Sequence, residues 1–433
     1  MHVKKALLAI AVLVAGIAAT SASAVDFHGY LRSGIGGDLD GGGQVCYSLP
    51  GTSYKLRLGN ECENYAELEF GQTLYRDKSG VEFKYVGMLA YVTAADQDYE
   101  SLVASGDIAL RQNWIGATFP QWGGISFWIG KRYYHRNDVH MIDLFYWDPS
   151  GPGAGVENID LSGYGKLAIA VLQNNRSNSG TTLWRPDIRV ETIPIGFGTL
   201  DVGLSLYWTS DREDAGDDRQ SLSPWVTLQH NMPLLGGANK LAFQFGTGSA
   251  APLNGYPGIG STSDSKQWRI VEHLMFQPTP KLSGGFVFVY EDMEERYGST
   301  NIWNNHTSWT VGVRPAWSFN PFFKLSAEVG YQSITSKNPA DETAGVDDAA
   351  GLFKFTLAPT LTPPPGPGGT FWTRPELRFF VTYAAWNDAA QLDRADAGGI
   401  FGQGTCEATG DSTGIYGCDT SAFTFGAQLE AWW

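Results

Sequence analysis

Charge is scarce in this 433-residue chain: Asp, Glu, Lys and Arg make up 17% of it, against roughly 25% in soluble globular proteins. That deficit argues against a helical bundle and against a disordered acidic tail. Basic residues are the scarcer kind, 30 Lys and Arg against 45 Asp and Glu, for a formal net charge of −15. Nucleic acid needs a basic footprint, so no nucleic-acid partner is expected; cations or neutral ligands fit better. After the first two dozen residues no stretch approaches the ~18 consecutive apolar residues of a membrane-spanning helix. Catalytic signatures are missing as well. The mature chain has no H-E-x-x-H and no Gly-rich phosphate loop. Two carboxylates at a suitable separation could hydrolyse a glycoside, but chance supplies such pairs in so acidic a chain, and the protein is read as a non-enzyme with no cofactor.

Cysteines number four, and their positions, Cys46, Cys62, Cys406 and Cys418, lack metal-ligand spacing. No metal site is expected, and His28 and His140 read as ordinary hydrogen-bonding residues. Four cysteines allow three connectivities. Loop closure favours the local pairs Cys46–Cys62 and Cys406–Cys418, each in Gly-rich surroundings that read as surface loops needing a staple. An oxidising compartment is implied. The amino terminus agrees: Lys4 and Lys5, an apolar stretch from Ala6 to Ala19, then Ala22-Ser23-Ala24 read as a signal peptide, residues 1–24, cut before Val25. Residues 25–433 then form a single domain, since no linker or exact repeat marks a second. The run Thr362 to Gly369, TPPPGPGG, is a connector, because consecutive prolines cannot sit in a central strand.

What is abundant is glycine, 53 residues, and aromatics, 13% of the chain, in a period-two pattern. Phe423, Phe425, Ala427, Leu429, Ala431 and Trp433 alternate with a polar or small face. Leu325, Ala327, Val329 and Tyr331 oppose Ser326, Glu328, Gly330 and Gln332. Between Trp372 and Tyr383, Leu377, Phe379, Val381 and Tyr383 alternate with Glu376, Arg378, Phe380 and Thr382. This is the signature of sheets with one apolar and one wet side. A soluble sandwich alternates too. Strands along the whole length, no long amphipathic helix and a terminal aromatic strand favour an all-β transmembrane antiparallel barrel, whose closure removes exposed edges.

Several blocks then resemble one family. They are VDFHGYLRSGIG from Val25, RLGNECENYAELEFGQ (57–72), GKRYYHRNDVHMIDLFYWDPSGPGAGVENID (130–160), WTVGVRPAW (309–317), WTRPELRFFVTYAAW (372–386) and FTFGAQLEAWW (423–433). In order along the chain, they are similar to the maltoporins, sugar-specific trimeric porins of Gram-negative outer membranes. Between about 170 and 300 the likeness fades. The resemblance implies an 18-stranded barrel in each subunit of a homotrimer, with an inward-folded third loop. It implies facilitated diffusion of maltose and maltodextrins across the outer membrane. A different oligosaccharide such as sucrose, and a general diffusion porin, are the alternatives.

Parity selects rings that could handle a sugar. Asp26, His28, Tyr30 and Arg32 share one face; Glu63, Tyr65, Glu67 and Glu69 share another. Trp372 is in register with Arg374, Glu376 and Arg378, and Trp432 with Glu430 and Gln428. A belt at the membrane interface explains most Trp and Tyr of such a barrel. These four are different, because turning them to lipid would take Arg32, Glu67 and Arg378 with them, at up to ~2–4 kcal/mol for a basic residue at midplane. The resemblance implies the same four as an aromatic slide, with Tyr99 at its entrance, a further Phe unplaced, and Phe145 at the constriction. It implies a polar track of Arg32, Arg57, Glu67, Arg111, Arg136, Asp138 and Asp143. For Arg136 and Asp138 a salt bridge within the third loop is the structural alternative; for Arg57 and Glu67 it is a solvated lumen charge.

Overall fold

The computed structural model describes residues 25–39, 41–49, 51–52, 54–95, 108–175, 182–209, 222–253, 263–294, 305–337, 349–365, 371–391 and 419–433. The expected leader, Tyr99, Cys406 and Cys418 lie outside these residues. The strands are β1 (Asp26–Asp38), β2 (Glu63–Arg76), β3 (Glu82–Ala94), β4 (Ile108–Phe119), β5 (Ile125–Arg132), β6 (Asn137–Val139), β7 (Leu144–Trp147), β8 (Gly151–Asp160), β9 (Lys166–Asn175) and β10 (Thr182–Pro194). They continue as β11 (Thr199–Thr209), β12 (Leu222–Leu234), β13 (Gly237–Thr247), β14 (Lys266–Phe276), β15 (Leu282–Glu294), β16 (His306–Asn320), β17 (Phe323–Ser336), β18 (Ala350–Leu361), β19 (Glu376–Trp386) and β20 (Ser421–Trp432). All except β6 and β7 join one 18-stranded sheet. Each strand is antiparallel to its neighbours, and the sheet closes where β20 pairs with β1, as the alternating sequence predicts.

Alternation sorts the side chains by face. Outward lie Phe70, Phe127, Ile129, Leu241, Leu357, Phe379 and Phe425, all exposed. Inward lie Lys324, Glu328, Gln332, Lys354, Thr382 and Thr424, all buried. An apolar exterior costs little in lipid, while closure satisfies the backbone that lipid cannot. Exposed Trp184 and Trp208 ring one end of the wall and Trp317 and Phe322 the other, the interfacial girdles of a membrane barrel. Apart from residues 362–375 between β18 and β19, connections are short at the second end and longer at the first, which places the first outside the cell.

The first and third outer loops turn into the barrel. The third, between β5 and β8, carries the β6–β7 hairpin and buries Met141, Ile142, Leu144, Tyr146 and Trp147 against Leu183, Tyr207, Trp225 and Val287 of the wall. This is the expected inward-folded loop. The first, between β1 and β2, also enters, burying Tyr54 and Leu56 in the same cluster and Leu58 against Ala358 and Phe380. Cys46–Cys62 is a disulfide, but the expectation that it staples a surface loop is corrected. The residues between the two cysteines include Tyr47, Leu49 and Tyr54, all at most 3% exposed; they are apolar enough to be drawn off the surface.

Burial obliges the loop backbone to find partners, and the polar inner wall supplies them. Gln332 donates to the carbonyl of Tyr54 at 3.2 Å, and Lys354 to that of Leu58 at 2.6 Å. Arg314 donates to Met141 O at 3.2 Å, and Gln244 and Arg269 to Tyr146 O at 2.8 and 3.2 Å. The loops also bond to each other, with the amides of Lys55 and Arg57 each 3.1 Å from the carbonyls of Ile142 and Met141. Lys354 and Arg314 share Glu328, at 2.8 and 2.6 Å, so the charges that pin the loops are themselves paired, as buried charges must be. Small residues in the wall make room: a Cβ at Gly312 would stand 2.7 Å from Leu56, and one at Gly203 would overlap Trp147.

His135, ahead of β6, fixes the base of the third loop. Its Nδ1 lies 3.0 Å from Glu191 of β10 and its Nε2 3.2 Å from Glu157 of β8, while Arg189 donates to its carbonyl. Burial disfavours the imidazolium, but the two carboxylates outweigh burial and the nearby Arg189, and raise the pKa above its ordinary 6.5.

Two outcomes follow from this packing. Gly203→Ala should cost about 1–3 kcal/mol through overpacking, read as a lower unfolding temperature in detergent; an unchanged temperature contradicts the Trp147 contact. The His135 contribution, at full strength below its ordinary pKa, should be lost as pH rises through the raised one, because neutral imidazole can donate to a single carboxylate. Protection factors for residues 133–150 should then fall by a free energy of about 1–3 kcal/mol. Protection that is independent of pH, or a dependence that survives in His135→Gln, contradicts the clamp.

Candidate functional site

The closing seam of the barrel sets the site. Tyr30 of β1 stands opposite Glu67 of β2 on one side and Trp432 of β20 on the other, and Arg32 stands opposite Tyr65 and Glu430. Since i and i+2 share a face, the three rings and their charged neighbours all look into the lumen. Trp372 arrives differently. The alternating strand expected from residue 372 begins at Glu376, so Trp372 belongs to the connection between β18 and β19, and Phe371 beside it packs on the third-loop cluster.

These four rings form a contiguous run. Centroids are 6.0 Å apart from Tyr65 to Tyr30, 6.5 Å from Tyr30 to Trp432, and 5.9 Å from Trp432 to Trp372. All four are half-buried. Their polar edges are tethered: Tyr30 accepts from Arg57 at 2.8 Å and donates to Glu430 at 2.9 Å, while Tyr65 donates to Glu67 at 2.7 Å. Arg374 lies 4.1 Å over the Trp432 ring. Rings held this way lose little freedom when a ligand stacks on them.

Charges gather alongside. Arg32 pairs with Glu63, and Arg57 with Glu61. Asp143 lies 3.8 Å from Arg32 and 3.9 Å from Arg57. Glu430 takes Arg374 at 2.7 Å as well as Arg378. Cations and anions are nearly balanced, so their fields largely cancel along the passage. Burial would raise the Glu61 carboxyl, but Arg57, Lys55 and Arg32 hold it down at about 2. His140 joins the cluster from the third loop, with Arg57 Nη1 3.1 Å from its Nδ1 and Glu430 3.2 Å from its Nε2. A guanidinium can only donate and a carboxylate only accept, which fixes the tautomer with its proton on Nε2. Burial keeps that imidazole below its ordinary 6.5 despite Glu430. The expected hydrogen-bonding role of His140 is what the geometry has; His28 meets the carbonyl of Trp433 at 3.3 Å.

A second group gathers nearer the long loops. Glu67 accepts from Tyr133 at 2.9 Å, and Arg111 donates to the Tyr133 hydroxyl at 2.6 Å. Arg136 lies 3.9 Å over the Tyr133 ring and 4.3 Å over that of Phe145. Among the described residues no ion pair joins Arg136 to Asp138, so the salt bridge considered for them is not formed; Asp138 instead lines a separate cavity. Burial, then the Glu67 charge, pushes the Tyr133 phenol up to about 12, which keeps it a neutral donor.

Two openings flank the run. At the long-loop end a cavity of about 320 Å³ is lined by Arg111, Tyr133, Asp148 and Asn174. At the short-turn end one of about 610 Å³ is lined by Asp138, Lys240, His273, Phe371 and Trp372. Contacts therefore lead from Tyr133 through Glu67, Tyr65, Tyr30 and Trp432 to Trp372.

Parity places Glu430, Arg374 and Arg378 on the wet face, yet the sequence reading assigned none of them to the polar track. Tyr133 and Glu61 carried no periodic signal, because loops obey none. Arg111 shows why parity stumbles locally. The β3–β4 register shifts between Met88 and Leu89, so Leu89 pairs with Leu110 and Met88 with Gln112. Arg111 is the extra residue of a bulge, a device that re-aims a side chain.

Comparison with solved structures gives barrels of similar extent. The outer membrane channel DcaP of Acinetobacter baumannii is 11% identical, covering 94% of this chain and 97% of that one at a TM-score of 0.45. A BenF-like porin from Pseudomonas fluorescens Pf-5 is 9% identical, covering 94% and 98% at 0.49. OprB of Pseudomonas putida is 11% identical, covering 94% of each at 0.43. The family model described as LamB porin matches residues 25–433, and the chain belongs to that family, the porins that form β-barrel channels in the bacterial outer membrane.

Proposed function

We propose that this channel carries maltose and maltodextrins down their gradient, guided along the run Tyr65, Tyr30, Trp432 and Trp372, with the subunits assembled as a homotrimer. Glycosyl rings present weakly polar faces of C–H bonds and an equator of hydroxyls. Flat aromatic surfaces flanked by donors and acceptors suit both. The observation that carries the reading is the continuity of the four rings, each step 6.5 Å or less, beside a nearly neutral charge cluster. A neutral field favours an uncharged solute over an ion, and the carboxylates and guanidiniums there can exchange water for sugar hydroxyls. Phe145 stands at the narrow point, with Arg32, Arg57, Glu67, Arg111, Arg136, Asp138 and Asp143 as the polar track. Tyr99, outside the described residues, is assigned to the entrance.

Transport demands weak, repeated contacts. At about 0.5–1.5 kcal/mol per stacked ring, less the ordering cost, affinity falls nearer millimolar than nanomolar, and the sugar can leave. In planar bilayers, Trp372→Ala and Trp432→Ala should each raise the maltotriose concentration that half-blocks the ion current by about two- to tenfold, with assembly retained. Unchanged block in both variants contradicts the ring path. Native conductance that responds to maltotriose no more than to an unrelated osmolyte would favour a general diffusion pore.

A further inference from the structure

Phe145, on the far side of Arg136, offers a ring but no hydroxyl, so hydrogen bonding at the outer end of the ring run must come from elsewhere. Tyr133 is placed to supply it. Its ring carries Arg136 on one face at 3.9 Å, its hydroxyl accepts from Arg111 and donates to Glu67, and it lines the cavity at the long-loop end. Tyr65, the first ring of the run, donates to the same Glu67 oxygen. We propose that Tyr133 is the specificity-determining ring at the channel's outer end, taking an incoming glycosyl unit on its hydroxyl with Arg111 and Glu67 and passing it to Tyr65. The inference rests on the sugar-channel reading above.

The position is built rather than incidental. The backbone N–H of Tyr133 donates to Gln112 Oε1 at 3.1 Å, and the amide of Gln112 is anchored in turn on Glu69 at 2.7 Å. The bulge at Arg111 brings Arg111 and Gln112, consecutive in sequence, to the same side of the wall, so one residue binds the Tyr133 hydroxyl while the next holds its backbone. Without that hydroxyl, Arg111 Nε and one acceptor position of Glu67 are released, and a passing sugar meets an apolar pair of rings. A donor–acceptor relay with a charged group at each end discriminates hydroxyl-bearing solutes more sharply than an apolar contact does.

The test uses the full-length protein in planar bilayers with maltotriose as probe. Tyr133→Phe keeps the ring and the Arg136 contact, and the half-blocking concentration should rise about tenfold, a loss of ~1.4 kcal/mol. Tyr133→Phe combined with Phe145→Tyr returns a hydroxyl to the neighbouring ring and should recover block. Unchanged block in Tyr133→Phe, or a loss that the double variant does not recover, overturns the proposal. Absence of block in the native protein would instead overturn the sugar-channel reading itself, so the two failures are distinguishable.

Discussion

Everything in this channel depends on hydrogen bonds from inward-facing wall side chains to the carbonyls of two loops that have left the surface. A barrel of 18 strands encloses more space than one solute file needs, and here the first and third loops enter it. Their apolar residues drive them inward, each buried large side chain contributing about 1.5–3 kcal/mol. Their backbone would cancel that gain if left unpaired. Gln332, Lys354, Arg314, Gln244 and Arg269 supply those partners, so the polar inner face that a membrane barrel must have becomes the mould for its constriction.

The seam where β20, β1 and β2 meet presents the lumen with a run of polar and aromatic side chains. Antiparallel register at that seam puts Tyr30, Tyr65 and Trp432 among Arg32, Glu67 and Glu430. The charges serve twice. They tether the ring edges, and cations and anions lie beside one another in paired contacts along the passage. Arg57 shows the coupling between fold and site. Its amide binds the third loop at Met141, while its guanidinium reaches Tyr30, Glu61 and His140.

Much of this was legible before any coordinates. Period-two alternation gave the barrel and the faces of Tyr30, Tyr65 and Trp432, because a side chain in a strand has two directions to choose from and a charge on the wrong one is costly in lipid. Resemblance gave the strand number and the inward third loop. Elsewhere the rule had nothing to act on. Trp372 shares the lumen with Arg374 from outside the strand where alternation would have put it. The first loop looked like a surface connector because its glycines are conspicuous, yet Tyr47, Leu49, Tyr54, Leu56 and Leu58 bury it. Tyr133 and Glu61 sit in loops, and Arg111 in a bulge, where register and parity part.

The most direct measurement is an experimental structure of the protein with a bound maltodextrin. The account predicts glycosyl units with their C–H faces against Tyr65, Tyr30, Trp432 and Trp372 and their hydroxyls toward the flanking carboxylates and guanidiniums, both inward loops remaining in place. Sugar seated away from these rings, or admitted only after the first or third loop has left the wall, would contradict it.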